Sequence, residues 1–241
     1  MCEKCFEGRL GRRGFLGLAG AAALAAATGF RATSVAAAGG PKTDLTADQA
    51  LEKLKAGNAR YVSDAQVCAA DLQGQRHHVA AGQAPWATLV SCADSRVPPE
   101  LLFGGLGLGE LFVTRNAGNL VDTAVLGTLE YGAAVLGSPL IVVLGHQRCG
   151  AVAAACDVAT KNATFPGSIG QMIEPIVPAA LAVKDTAGAD LVTAAVKESA
   201  KRSVARILEH SPIIAGMAKD GKVKVVSAYY DLDSGRVDFA V

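Results

Sequence analysis

Two apolar runs, Trp86 to Val90 and Leu140 to Leu144, carry almost none of the polar alternation expected of a strand with one wet face. A strand lacking a polar side has to be covered on both faces, which is the condition of a parallel sheet packed between helices. Each run ends in residues that do chemistry. The first leads into Cys92-Ala93-Asp94-Ser95-Arg96 and the second into His146-Gln147-Arg148-Cys149-Gly150. In sheets of this kind ligands gather beyond the carboxyl ends of the strands, where both motifs stand.

Two thiols and one imidazole favour zinc over hard cations. Structural zinc usually takes four protein ligands, whereas catalytic zinc keeps one position for water or substrate. Cys92, His146 and Cys149 are three, so the set points to chemistry. Asp94 is the candidate for the fourth position in a closed state, and Arg96 is near enough in sequence to hold it away. Cys149 is placed to open a helix, where the dipole favours thiolate.

The remaining pattern predicts how the strands are connected. Thr46 caps a first helix, with Gln49 three residues later. A short helix spans Asp71 to Ala81, and strands follow at Trp86 to Ser91 and Glu110 to Thr114. Thr123 to Leu136 reads as a helix closed by Gly137, and Pro139 to Leu144 as the third strand. Helices are predicted over Cys149–Val158, over Ser168–Val183 with interruptions at Pro175 and Pro178, and over Ala189–His210, then a hairpin of Lys222–Asp231 and Arg236–Val241. The fold class is α/β: a mainly parallel central β-sheet flanked by helices, with a C-terminal antiparallel hairpin or edge strand.

Other features are set aside on physical grounds. Adjacent side chains on a helix diverge, so His77-His78 is a solvated pair and not a chelate. The glycines of Gly104 to Gly109 lack the G-K-[ST] ending of a phosphate loop. A formal net charge of +1 argues against a nucleic-acid binder, which needs a basic face to neutralise phosphates. Cys156, two turns beyond Cys149, reads as a buried bystander.

The first residues have a different character. Arg12-Arg13-Gly14-Phe15-Leu16 precedes an uncharged run to Phe30, and Ala36-Ala37-Ala38 offers a cleavage site. This is the layout of a signal peptide over residues 1–38, and the paired arginines resemble the twin-arginine type that exports folded proteins. Residues 39–45 are a linker, and 46–241 form the catalytic domain. Cys2 and Cys5 would leave with the signal. Cys68, Cys92, Cys149 and Cys156 would remain, in a periplasmic or otherwise exported protein.

With C-x-D-S-R, H-x-x-C and Glu110-Leu-Phe-Val-Thr-Arg-Asn-Ala-Gly-Asn119 in one chain, the sequence resembles the β-class carbonic anhydrases from about Thr46 to Tyr230. The resemblance implies one Zn2+ per subunit on Cys92, His146 and Cys149, and a homodimer or homotetramer with active sites at subunit interfaces. It gives Gln83 the role of hydrogen-bonding substrate oxygen. It makes Phe112 and Tyr131 the lining of the carbon dioxide pocket from the neighbouring subunit, and Gly150 the glycine beside the last ligand. Leu89 departs from the tryptophan of a second bicarbonate pocket found in some members, although Arg115 matches that pocket's arginine.

The implied reaction is zinc-dependent reversible hydration of carbon dioxide to bicarbonate and a proton by a zinc-bound hydroxide, with Asp94 and Arg96 as the catalytic pair. Two alternatives use the same residues: a carbonyl sulfide or carbon disulfide hydrolase, and a non-catalytic zinc- or bicarbonate-sensing protein. The expected partners are carbon dioxide and bicarbonate, further copies of the chain and, through the signal peptide, the export machinery.

Overall fold

The structure is a computed structural model and describes residues 42–64, 72–188 and 190–241. The expected signal segment, Cys68, and the first residues of the linker and of the second helix lie outside the described residues.

Five strands form one sheet in the order β2-β1-β3-β4-β5: β1 (Ala87–Cys92), β2 (Leu111–Asn116), β3 (Leu140–His146), β4 (Lys224–Tyr230) and β5 (Val237–Phe239). The first four run parallel, and β5 pairs antiparallel with β4. This is the expected fold class. β2 and β3 flank β1 on opposite sides, so the strand order reverses between β1 and β3. Crevices in parallel sheets open at such a reversal, and β1 and β3 are the strands that end in the two motifs.

Every residue of β1 and β3 is buried. Along β3 the faces alternate with a period of two. Leu140, Val142 and Leu144 pack with Leu54, Leu89 and Phe103, beneath α1 (Ala47–Ser63) and α3 (Pro99–Leu102). Ile141 and Val143 pack with Leu129, Ile207 and Ile214 on the opposite face. That second face is covered by α4 (Thr123–Glu130), α8 (Leu191–His210) and α9 (Pro212–Lys219).

The local signals act as expected at the start of α1. Thr46 accepts from the Gln49 N–H and the Gln49 side chain accepts from the Thr46 N–H, a reciprocal cap. α2 (Leu72–Val79) carries His77 and His78, both exposed. α5 (Gly150–Lys161) begins directly after Cys149.

Elsewhere packing moved the boundaries. β2 extends two residues past Thr114, because Ser91 and Cys92 of β1 pair with Arg115 and Asn116. α4 gives way to a wider π turn at Tyr131–Val135. The helical stretch Ser168–Val183 does divide at Pro175, into α6 (Ser168–Ile173) and α7 (Val177–Val183) joined by a 3-10 turn at Glu174–Ile176, whereas Pro178 sits in the first turn of α7 without interrupting it. α9 was not anticipated, although Ser211 caps it through the Ile214 N–H and Pro212 opens it.

Gly57 on α1 lies against the backbone of Phe103: a Cβ there would stand 2.1 Å from the Phe103 carbonyl oxygen. Backbone cannot swing aside as a side chain can, so Gly57→Ala should push α1 off the sheet. Urea denaturation should show a loss of about 1–3 kcal/mol, and an unchanged midpoint would refute this close approach.

Candidate metal centre

Cys92 ends β1, His146 ends β3, and Cys149 sits at the cap of α5. The three residues are buried, and their ligating atoms lie within 4.8 Å of one another. Among the described residues this is the one such cluster of three or more. His146 is fully buried; its Nδ1 lies 2.9 Å from the Gln147 carbonyl oxygen, while Nε2 has no hydrogen-bond partner. A carbonyl can only accept, so Nδ1 carries the proton and the Nε2 lone pair faces the two sulfurs. An orphaned buried nitrogen is costly unless something binds it. The gathered S, S and N donors are a set that would hold a zinc ion.

The backbone around the cysteines favours thiolate. The Gly118 N–H points at Cys92 Sγ from 3.4 Å. The Cys149 thiol, donating to Cys92, holds the Cys92 pKa down to about 4 despite burial, and the N–H groups of Gly118 and Asp94 act in the same direction. The same bond, together with burial, pushes Cys149 up. A zinc ion held here would bind both sulfurs as thiolates, since a coordinating thiol is deprotonated outright.

Asp94 is not one of the gathered ligands. Arg96 grips both of its oxygens, Nε donating to Oδ1 at 2.9 Å and Nη2 to Oδ2 at 2.7 Å, and the Arg96 N–H adds a third bond at 2.9 Å. That grip holds the Asp94 carboxyl well below the usual carboxylate range. Oδ2 nevertheless lies 3.8 Å from His146 Nε2, beside the ligand cluster.

The sequence reading missed how Arg115 and Gly118 build this loop. Arg115 donates from Nε to the Cys92 carbonyl at 2.9 Å and from Nη2 to the Asp94 carbonyl at 2.7 Å, clamping the chain between ligand and carboxylate. Gly118 has φ +81°, and a Cβ there would meet Ile176 Cδ1 at 2.7 Å. The Arg-Asn-Ala-Gly-Asn run was the available signal; its register opposite Cys92 was not.

The remaining candidates are not gathered at the metal within one chain. Phe112 pairs in register with Thr88, four residues before Cys92, which is about 13 Å along a strand. Tyr131 packs against Phe112 with ring centroids 6.0 Å apart and ring planes tilted by 35°. Gln83 precedes β1 at that same end. Gly150 does adjoin the metal ligand Cys149, but it is exposed, with open space where a Cβ would be.

Comparison with known proteins agrees with this geometry. Residues 87–237 match the family model described as carbonic anhydrase. The chain is 39% identical over 197 residues to carbonic anhydrase 2 of Mycobacterium tuberculosis, covering 81% of this chain and 93% of that protein. It is 36% identical to a carbonic anhydrase of Mycolicibacterium smegmatis, covering 78% and 91%. The Coccomyxa β-carbonic anhydrase solved with acetazolamide superposes with a TM-score of 0.58 at 29% identity, covering 75% of this chain and 82% of that one.

Proposed function

The chain belongs to the β class of the carbonic anhydrase family, and on that premise we propose how its residues divide the work of hydrating carbon dioxide to bicarbonate and a proton. The observation that carries the reading is the convergence of Cys92, His146 and Cys149 beside an Asp94 carboxylate already held by Arg96. Zinc, when bound, acidifies a water to near-neutral pKa and so supplies the nucleophile.

Cys92, His146 and Cys149 would hold the ion. Asp94 would accept a hydrogen bond from the attacking oxygen and so aim its lone pair at carbon. Arg96 keeps Asp94 ionised and off the metal. Arg115 fixes the backbone on which Asp94 rides.

Gln83, Phe112 and Tyr131 serve the site of another copy of the chain. Their end of β1 is on the outside of the protomer: β2 is the edge strand of the sheet and Tyr131 is 39% exposed. Two copies joined there would bring the glutamine of one to the metal of the other, with Phe112 and Tyr131 as the apolar wall for carbon dioxide.

The paired Arg12-Arg13 and the uncharged run that follows support export as a folded protein, with residues 46–241 as the catalytic domain. Folding before export would also shield the metal-binding thiols from oxidation. A reporter fused after the signal should reach the periplasm, and Arg12→Lys with Arg13→Lys should keep it in the cytoplasm. Equal export of both fusions would defeat this assignment.

Stopped-flow measurement of carbon dioxide hydration by the zinc-loaded protein is the primary test. Asp94→Asn should lower kcat by about 10²–10⁴-fold with zinc content unchanged, and near-normal turnover would remove Asp94 from the mechanism. Co-expressing Asp94→Asn and Gln83→Ala chains tests the shared site. Mixed assemblies contain a site with intact Asp94 from one copy and intact Gln83 from the other, so activity should return. No recovery would place Gln83 with the metal of its own chain.

A further inference from the structure

We propose that Asp233, in the turn between β4 and β5, is a positioning residue for the metal: it latches the Gln147-Arg148 dipeptide and so fixes the two ligands that flank it, His146 and Cys149. This rests on the zinc assignment above. Arg148 donates to Asp233 through both terminal nitrogens, Nη1 to Oδ2 at 3.0 Å and Nη2 to Oδ1 at 2.6 Å. Gln147 Nε2 also donates to Asp233 Oδ2 at 3.1 Å, while Gln147 Oε1 accepts from the Leu232 N–H at 3.1 Å. The Gln147 N–H donates to the Tyr230 carbonyl at 2.8 Å. Both side chains of the dipeptide are thus tied to the β4–β5 turn, and the Gln147 N–H to the last residue of β4.

The turn is a firm anchor. Asp231 Oδ1 accepts from the Ser234 N–H at 2.8 Å and from its hydroxyl at 2.7 Å. Buried Asn58 on α1 donates to the Gly235 carbonyl at 2.9 Å and accepts from the Val237 N–H at 2.8 Å. The latch therefore runs from α1, through the β4–β5 turn, to the peptide between two metal ligands.

Two features show what the latch holds in place. Arg148 has φ +53°, in the left-handed region. A residue with a Cβ stays there only where its surroundings insist. The Gln147 carbonyl is the group that accepts from His146 Nδ1. Releasing the dipeptide frees both the carbonyl that orients the imidazole and the turn that points Cys149 back at it. Outer partners of this kind typically govern metal affinity.

An exposed ion pair would ordinarily be judged idle. The Arg148 and Asp233 side chains are 55% and 65% exposed, and such pairs contribute little to folding stability. The two readings make different predictions: an idle pair leaves the metal unaffected, whereas a latch changes the metal site and barely moves folding stability.

The test uses the full-length protein, Asp233→Ala, the isosteric Asp233→Asn, and Asp220→Ala as a control that breaks the exposed pair with Lys222. Each is loaded with zinc and challenged with a chelator, and each is loaded with cobalt(II) for its visible spectrum. Asp233→Ala should release zinc about tenfold faster or more and show altered cobalt bands. Asp233→Asn, which keeps an acceptor but loses the charge, should fall between, and Asp220→Ala should match the parent. Metal-free forms should melt together. Zinc release and cobalt bands in Asp233→Ala identical to the parent's would overturn the latch. A parent that takes up neither ion would instead overturn the metal reading beneath it.

Discussion

Parallel pairing of β1 with β3 is the interaction on which the rest depends. It sets Ser91 beside Leu144, one residue short of Cys92 and two short of His146. Two ligands more than fifty residues apart thereby become neighbours at the end of the sheet. Pairing of this kind needs both faces covered, and the alternate side chains of β3 supply two separate cores for the helices above and below. The metal site is thus where two buried strands end together.

That location creates an electrostatic problem, which backbone groups do much to solve. Buried thiolates and an unpartnered imidazole nitrogen are costly in an apolar setting. The Gly118 N–H faces one sulfur, the Gln147 carbonyl fixes the imidazole proton, and Arg115 holds the loop that presents Asp94. The Asp94–Arg96 pair stands apart from the ligands yet close enough to act on what they bind. The latch through Asp233 would extend the same logic outward, making the surface turn of an edge hairpin part of the support for a buried ion.

Much of this was legible in the residues. The apolar runs identified the strands, the positions of the thiols and imidazole at their ends identified the metal, and Thr46 with Gln49 marked the first helix. Boundaries were less legible where tertiary contacts decided them. β2 grew by two residues because β1 offered partners. Helix α9 carries its start signal in Ser211-Pro212, but its eight residues between a long helix and a strand give too short a pattern to stand out.

The distinction between local and distant information runs through the site itself. By itself the sequence determined the donor set, the adjacency of Asp94 to Arg96, and the preference for a parallel sheet, since these follow from residue type and short-range spacing. Only the tertiary structure decided that Arg115 spends its guanidinium on the carbonyls of Cys92 and Asp94, that Gly118 aims its N–H at a sulfur, and that Asp233 reaches the peptide between two ligands. It also separated Phe112 and Tyr131 from their own metal by the length of β1. Hydrogen bonds between residues far apart in the chain depend on register and approach, and neither is written in the spacing of residues along it.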